Sequence, residues 1–289
     1  MRTLCVALLA LALSGAALSA NKQDRLPAQP PTKVPAASAP AGTAASGANV
    51  TVTYFPAESP ASESGLLQLK EWSYLEAIAK AVQTGFRLPK PLNLVGRPCG
   101  EPNAFYVSDE KSIFICYELV DLIVRQADKA KGPDRRKKLP EESRALLAFG
   151  AVTFITLHEM GHALIDILDL PITGREEDVA DQIATFLSLY DLKDEEDHEF
   201  ALWAVVGGGW FFDMQGRQRL HSNLADEHSL DGQRVINVAC WTYGSDPRRY
   251  ADLVPWFKGA SDRLLRCEAE HAQMHRALTK LIGPALIPQ

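Results

Sequence analysis

Positive charge is in short supply. Lysine and arginine number 30 against 36 aspartates and glutamates, giving a formal net charge of −6. That balance gives no electrostatic reason to expect a nucleic-acid partner, since phosphate binding needs a clustered excess of Lys and Arg. The one dense basic run, Arg135 to Lys138, stands between Pro133 and Pro140 and reads as a solvated loop. Cysteine is sparse as well, at five residues with no C-x-x-C pair, which excludes the thiolate zinc modules. Beyond about Val50 there is no second low-complexity break and no internal repeat, so a single domain is the simplest count. The uncharged stretch from Ala145 to Leu157 is too short to span a bilayer, which needs about 20 residues. The triplet Gly207-Gly208-Gly209 is followed by Trp210 and not by Lys-Ser or Lys-Thr, so it is no nucleotide loop; a tight turn is expected there.

What is present begins with a leader. Residues 1–20 carry one charge, at Arg2, then an apolar run from Leu4 to Leu13 and small residues from Ser14 to Ala20. This is the pattern of a signal peptide cleaved near Ala17 to Ala20, and Cys5 lies too early to be lipidated at that point. Residues 21–49 are dominated by Ala, Pro, Ser, Thr and Gly, a composition that cannot bury enough surface to offset its conformational entropy; a disordered tether is expected. The product is therefore exported, periplasmic or secreted, with no stable membrane insertion after processing. Four cysteines then remain, an even count that suggests two disulfides. Of three possible pairings, Cys99 with Cys116 and Cys240 with Cys267 are preferred, since each joins neighbouring elements and closes a short loop.

Within residues 50–289, apolar periodicity predicts a helix over Leu66 to Thr84, short strands at Leu92 to Val95, Ala104 to Val107 and Ser112 to Cys116, and a helix over Leu119 to Lys129. A long apolar helical segment follows from Glu141 to Asp169, then a helix from Arg175 to Tyr190. The acidic stretch Asp191 to Asp197 lacks the central glycine of a calcium loop and reads as a solvated turn. Helical segments at Phe200 to Val206, Val235 to Tyr243 and Arg263 to Leu281 complete the domain.

The chemistry centres on His158-Glu159-Met160-Gly161-His162 in the apolar helix. Residues four apart share a helix face, so two imidazoles converge on one ion, while the glutamate beside the first reaches the ion's water. A buried charged Glu159 without such a purpose would be costly. Beyond the Pro171–Gly174 reversal lies Glu177-Asp178-Val179-Ala180-Asp181, with Glu177 and Asp181 on one face. Glu176 is the alternative ligand, although acids in a first helical turn are also favoured by the helix dipole alone. A metzincin is excluded, because Ile165 and Leu168 occupy the places of its glycine and third histidine.

This pair of helices resembles the gluzincin signature, which implies a Zn2+ ion on His158, His162 and Glu177, with Asp181 orienting a ligand histidine and Glu159 as general base. The resemblance widens through Cys99, Asn103 to Tyr106, Cys116 to Leu119, Asp226 to Asp231, Gln233-Arg234, Cys240 and Tyr243 to Pro247; from about Val50 onward the chain is similar to a bacterial metallopeptidase family, domain of unknown function 4344. His228, in the polar block Asp226 to Arg234, is the candidate donor to the oxyanion, with Arg234 and Tyr243 behind it. The expected fold is α+β and zincin-like: a small antiparallel sheet, an active-site helix and a glutamate-bearing helix after it. The expected partner is a peptide or protein substrate. Two rivals share these residues: a noncatalytic zinc-binding or partner-binding domain, and a zinc hydrolase acting on a nonpeptide bond.

Overall fold

The computed structural model describes residues 48–131, 136–216, 229–258 and 260–287. The segment expected to be a leader and most of that expected to be a tether, together with His228, lie outside these. In chain order the elements are β1 (Val50–Tyr54), α1 (Pro60–Glu71), α2 (Tyr74–Gly85), β2 (Leu92–Arg97), β3 (Ala104–Val107), β4 (Ser112–Cys116), α3 (Tyr117–Ala127), α4 (Glu141–Ile167), α5 (Glu176–Ser188), α6 (Glu195–Gly216), α7 (Asp231–Ser245) and α8 (Ser261–Ile282). The class is α+β, as expected.

The sheet has the order β1-β2-β4-β3 and is mixed, where an antiparallel sheet was expected. Its β3–β4 pair is antiparallel, but β1–β2 and β2–β4 are parallel. The connections impose this. The long crossover through α1 and α2 returns the chain to the end where β1 began, so β2 must run the same way. The short turn after β3 then folds β4 back between β3 and β2. Local residue patterns encode a strand but not the direction of its partner.

The single helix expected over residues 66–84 is two, broken at Ser73, which takes a left-handed backbone conformation with φ 49. Each half has its own phase, and for that reason Leu67, expected inside, is 54% exposed. Before the break, Ser59 caps α1 by accepting from the Ser62 amide, with Pro60 in the first turn.

Helix α4 is the spine. It is apolar on nearly every side and packs against α3, α5, α6, β3 and β4. By length and composition alone it could cross a membrane, yet its apolar stretch is mostly buried inside the protein. Its crossing with α6 corrects two sequence expectations. The segment 200–206 extends to all of α6, and Gly207-Gly208-Gly209 are helical and buried, not a turn. Gly150 of α4 lies against the Trp203 carbonyl and Gly207 of α6 against the Gly150–Ala151 backbone, so the two helices touch main chain to main chain. The acidic stretch is a turn only in its first part. Asp194 accepts from the Asp197 amide at 3.0 Å and the buried Asp197 carboxylate accepts from the Lys193 amide at 2.9 Å, capping α6.

Three fastenings hold the layers. Disulfides join Cys99 to Cys116 and Cys240 to Cys267, the preferred pairing. Asp166, one turn beyond His162 on α4, accepts from the Tyr106 hydroxyl at 2.5 Å and from the Lys111 ammonium at 2.6 Å, tying the β3–β4 hairpin to the spine. At the far end, Phe86 accepts from the Ala48 amide and bridges to Leu286, so the first and last parts of the domain meet on one residue.

The α4–α6 crossing gives a test. Gly150→Ala is expected to lower stability by about 1–3 kcal/mol through overpacking, even though alanine is the better helix former by about 1 kcal/mol. Gly232→Ala in α7, where nothing lies within 4 Å of an added methyl group, should be neutral or stabilising. Urea denaturation of the two variants reads the sign directly.

Candidate metal centre

The site is assembled by the approach of α5 to α4. At Gly161, a Cβ atom would stand 2.8 Å from the Ala180 Cα, closer than side chains tolerate. Glycine there, with alanine opposite, lets the backbones close up. The residues flanking that contact then face each other: His158 and His162 on α4, Glu177 and Asp181 on α5.

His158 Nε2 lies 3.2 Å from His162 Nε2 and 3.0 Å from Glu177 Oε2, and His162 Nε2 lies 3.4 Å from Glu177 Oε1. The other imidazole nitrogens point to carboxylates: His158 Nδ1 to Asp181 Oδ1 at 2.8 Å, and His162 Nδ1 to Glu176 Oε1 at 2.8 Å. Ionised carboxylates only accept, so both Nδ1 atoms carry a proton, and once the second proton leaves each ring its Nε2 presents a lone pair. Three acceptors thus converge on one point. Their separations match the edge of a tetrahedron, about 3.3 Å for bonds of about 2.0–2.1 Å. His158, His162 and Glu177 are in fact the described group of side chains able to hold a metal ion together.

The electrostatics agree. With protons and no metal on these nitrogens, burial opposes the charge on His158, but Asp181 and Glu177 outweigh it and push the group up to about 9. His162 is raised in the same way, against burial and the His158 charge, by Glu177, Glu159 and Glu176. The pocket therefore attracts positive charge, and a bound cation would displace those protons. Glu159 is buried next to His158, and its charge raises both histidines.

Behind the histidines lies a buried ion pair whose partner was misjudged from sequence. Arg234 of α7, considered only as a weak oxyanion donor, is buried and grips Asp181 with two bonds of 2.8 Å, Nε to Oδ2 and Nη2 to Oδ1. Its guanidinium lies 3.9 Å from the centroid of the Phe212 ring. Burial disfavours the Asp181 charge, but Arg234 and His158 overcome it and hold the carboxyl down to about 2. The sequence signal was available in principle: an arginine inside the buried stripe of α7. Tyr243, the other alternative donor, packs its ring toward Phe257. Glu176, expected to be either a fallback ligand or a solvated first-turn acid, is exposed in the first turn and also hydrogen-bonds His162 Nδ1.

A family model described as "Putative metallopeptidase", domain of unknown function 4344, matches residues 54–282. No curated protein and no solved structure matches the chain.

Arg234→Met should destabilise the protein by about 3–5 kcal/mol, because it leaves Asp181 buried without its counterion. Adding Asp181→Asn should restore part of the loss. In the wild type, the Asp181 contribution is complete above about pH 4, the unfolded value, and disappears as pH falls toward 2, since the folded-state value is the lower one. Denaturant titrations at neutral and acid pH check both statements.

Proposed function

The chain belongs to this metallopeptidase family, and on that footing we propose that it is an exported, zinc-dependent peptidase that cleaves peptide bonds with activated water. The observation that carries the reading is the convergence of His158 Nε2, His162 Nε2 and Glu177 on one point beside a buried Glu159. Two nitrogens and a carboxylate oxygen suit Zn2+, and three protein ligands leave a position for water or substrate. Bound there, the ion would supply Lewis acidity, polarising the scissile carbonyl and bringing the water's pKa toward about 7.

The chain's own residues do the rest. Asp181 and Glu176 hold the two imidazoles in the tautomer that offers Nε2. Glu159 takes the proton from the attacking water and delivers it to the departing amine, a role a purely structural site would not require. Arg234 neutralises Asp181, so the second carboxylate behind the ligands adds orientation without adding net negative charge. Strand β3 ends the sheet and packs against α4, a position from which an extended peptide can pair with its outer edge. His228, outside the described residues, remains our proposed donor to the developing oxyanion. The proposed domain plan is a leader over residues 1–20, a tether from residue 21 that ends short of Ala48, which is buried and bonded to Phe86, and the peptidase beyond it. The two disulfides support an oxidising compartment.

Glu159→Gln should retain stoichiometric metal while lowering turnover of an unbiased peptide library by about 10²–10⁴-fold. Elemental analysis and mass-spectrometric detection of cleavage are the two measurements. Equal turnover in both proteins, or no metal in either, refutes the reading. For export, intact mass of the protein expressed with its leader should show an N-terminus shortened near residues 17–20, and retention of all 289 residues in the cytoplasm would count against it.

A further inference from the structure

His158 and His162 are supported differently. Behind His158 stands Asp181, fully enclosed and neutralised by Arg234. Behind His162 stands Glu176, whose carboxylate bonds Nδ1 at 2.8 Å from a side chain half open to solvent. Glu176 occupies the first turn of α5, immediately before Glu177, so one helical terminus delivers two carboxylates to opposite sides of the same imidazole region. Glu177 approaches His162 Nε2 and Glu176 approaches its Nδ1. The ring is therefore gripped at both nitrogens by adjacent residues.

From this we infer that Glu176 is a positioning residue of the metal centre: it fixes the tautomer and ring plane of His162 and thereby sets how tightly the ion is held. The inference rests on the metal reading above. Its physical basis is that a neutral ring donating Nδ1–H to a carboxylate leaves Nε2 unprotonated, and that an anionic acceptor makes Nε2 a stronger electron-pair donor to a cation. A neighbouring acid that only added long-range charge would lack the first of these effects. The two can be separated with Asp178, which lies in the same first turn and shares the helix-dipole environment.

The experiment is a competition titration of purified, chelator-stripped protein with Zn2+ against a chromophoric chelator, for the wild type, Glu176→Ala, Glu176→Gln and Asp178→Ala. Co2+-loaded samples are compared by visible absorption. Glu176→Ala should raise the Zn2+ dissociation constant about 10–100-fold and alter the Co2+ d–d bands. Glu176→Gln should recover much of the affinity, because the amide oxygen still accepts from Nδ1. Asp178→Ala should stay close to the wild type, and the thermal midpoint of the metal-free proteins should be unchanged throughout. Wild-type affinity and bands in Glu176→Ala, or an equal loss in Asp178→Ala, would overturn the inference while leaving the metal centre standing. A wild-type chain that takes up no stoichiometric Zn2+ would overturn the metal reading, and this inference with it.

Discussion

The geometry of the centre depends on how closely two helices can lie. Glu177 and Asp181 are useful only if α5 rests against α4 at backbone distance, and Gly161 opposite Ala180 is what permits that. A larger side chain at either place would move the carboxylates outward, and donor separations near 3 Å leave little tolerance. The α4–α6 contact repeats the device with Gly150 and Gly207. Helix α4 is thus approached closely from two sides, which makes it a rigid rail for the imidazoles it carries.

Close approach brings acidic groups together in a poorly solvated space, and the structure balances them group by group. Asp181 has Arg234; Glu176 and Glu177 have the histidines, with protons or a metal supplying the positive charge. The arginine is matched to its task, since its planar fork engages both carboxylate oxygens while its face rests over Phe212. A lysine could satisfy only part of that arrangement.

Much of this was readable in advance, and the limits were physical. The meeting of His158 with His162, and of Glu177 with Asp181, follows from four-residue helical spacing, which is a local property. The proximity of the two helices followed from the Pro171–Gly174 reversal between them. Arg234 was misjudged because it reaches Asp181 from 53 residues away and sits in a block whose polarity reads as solvent-exposed. The glycine triplet was misread because glycine marks a turn by default, and only the neighbouring helix shows that its missing side chains are filled by another backbone. The sheet's parallel pairings were hidden for a related reason. Strand direction is set by the crossover through α1 and α2, which no strand records in its own residues, and β1, Val50–Tyr54, is a strand that the residue pattern did not mark.

The meeting of the first and last described segments at Phe86 and Arg87 bears on the entropy of closing the fold. The disulfides close segments of 17 and 27 residues, whereas the bond from Arg87 to the Leu286 carbonyl spans 199. Loop-closure entropy grows with the logarithm of the enclosed length, so the long closure costs more than either short one. The helices that carry the centre lie wholly inside that long loop. The centre is thus enclosed by a contact between residues distant in the chain, and the entropic cost of that closure falls on the whole span that carries it.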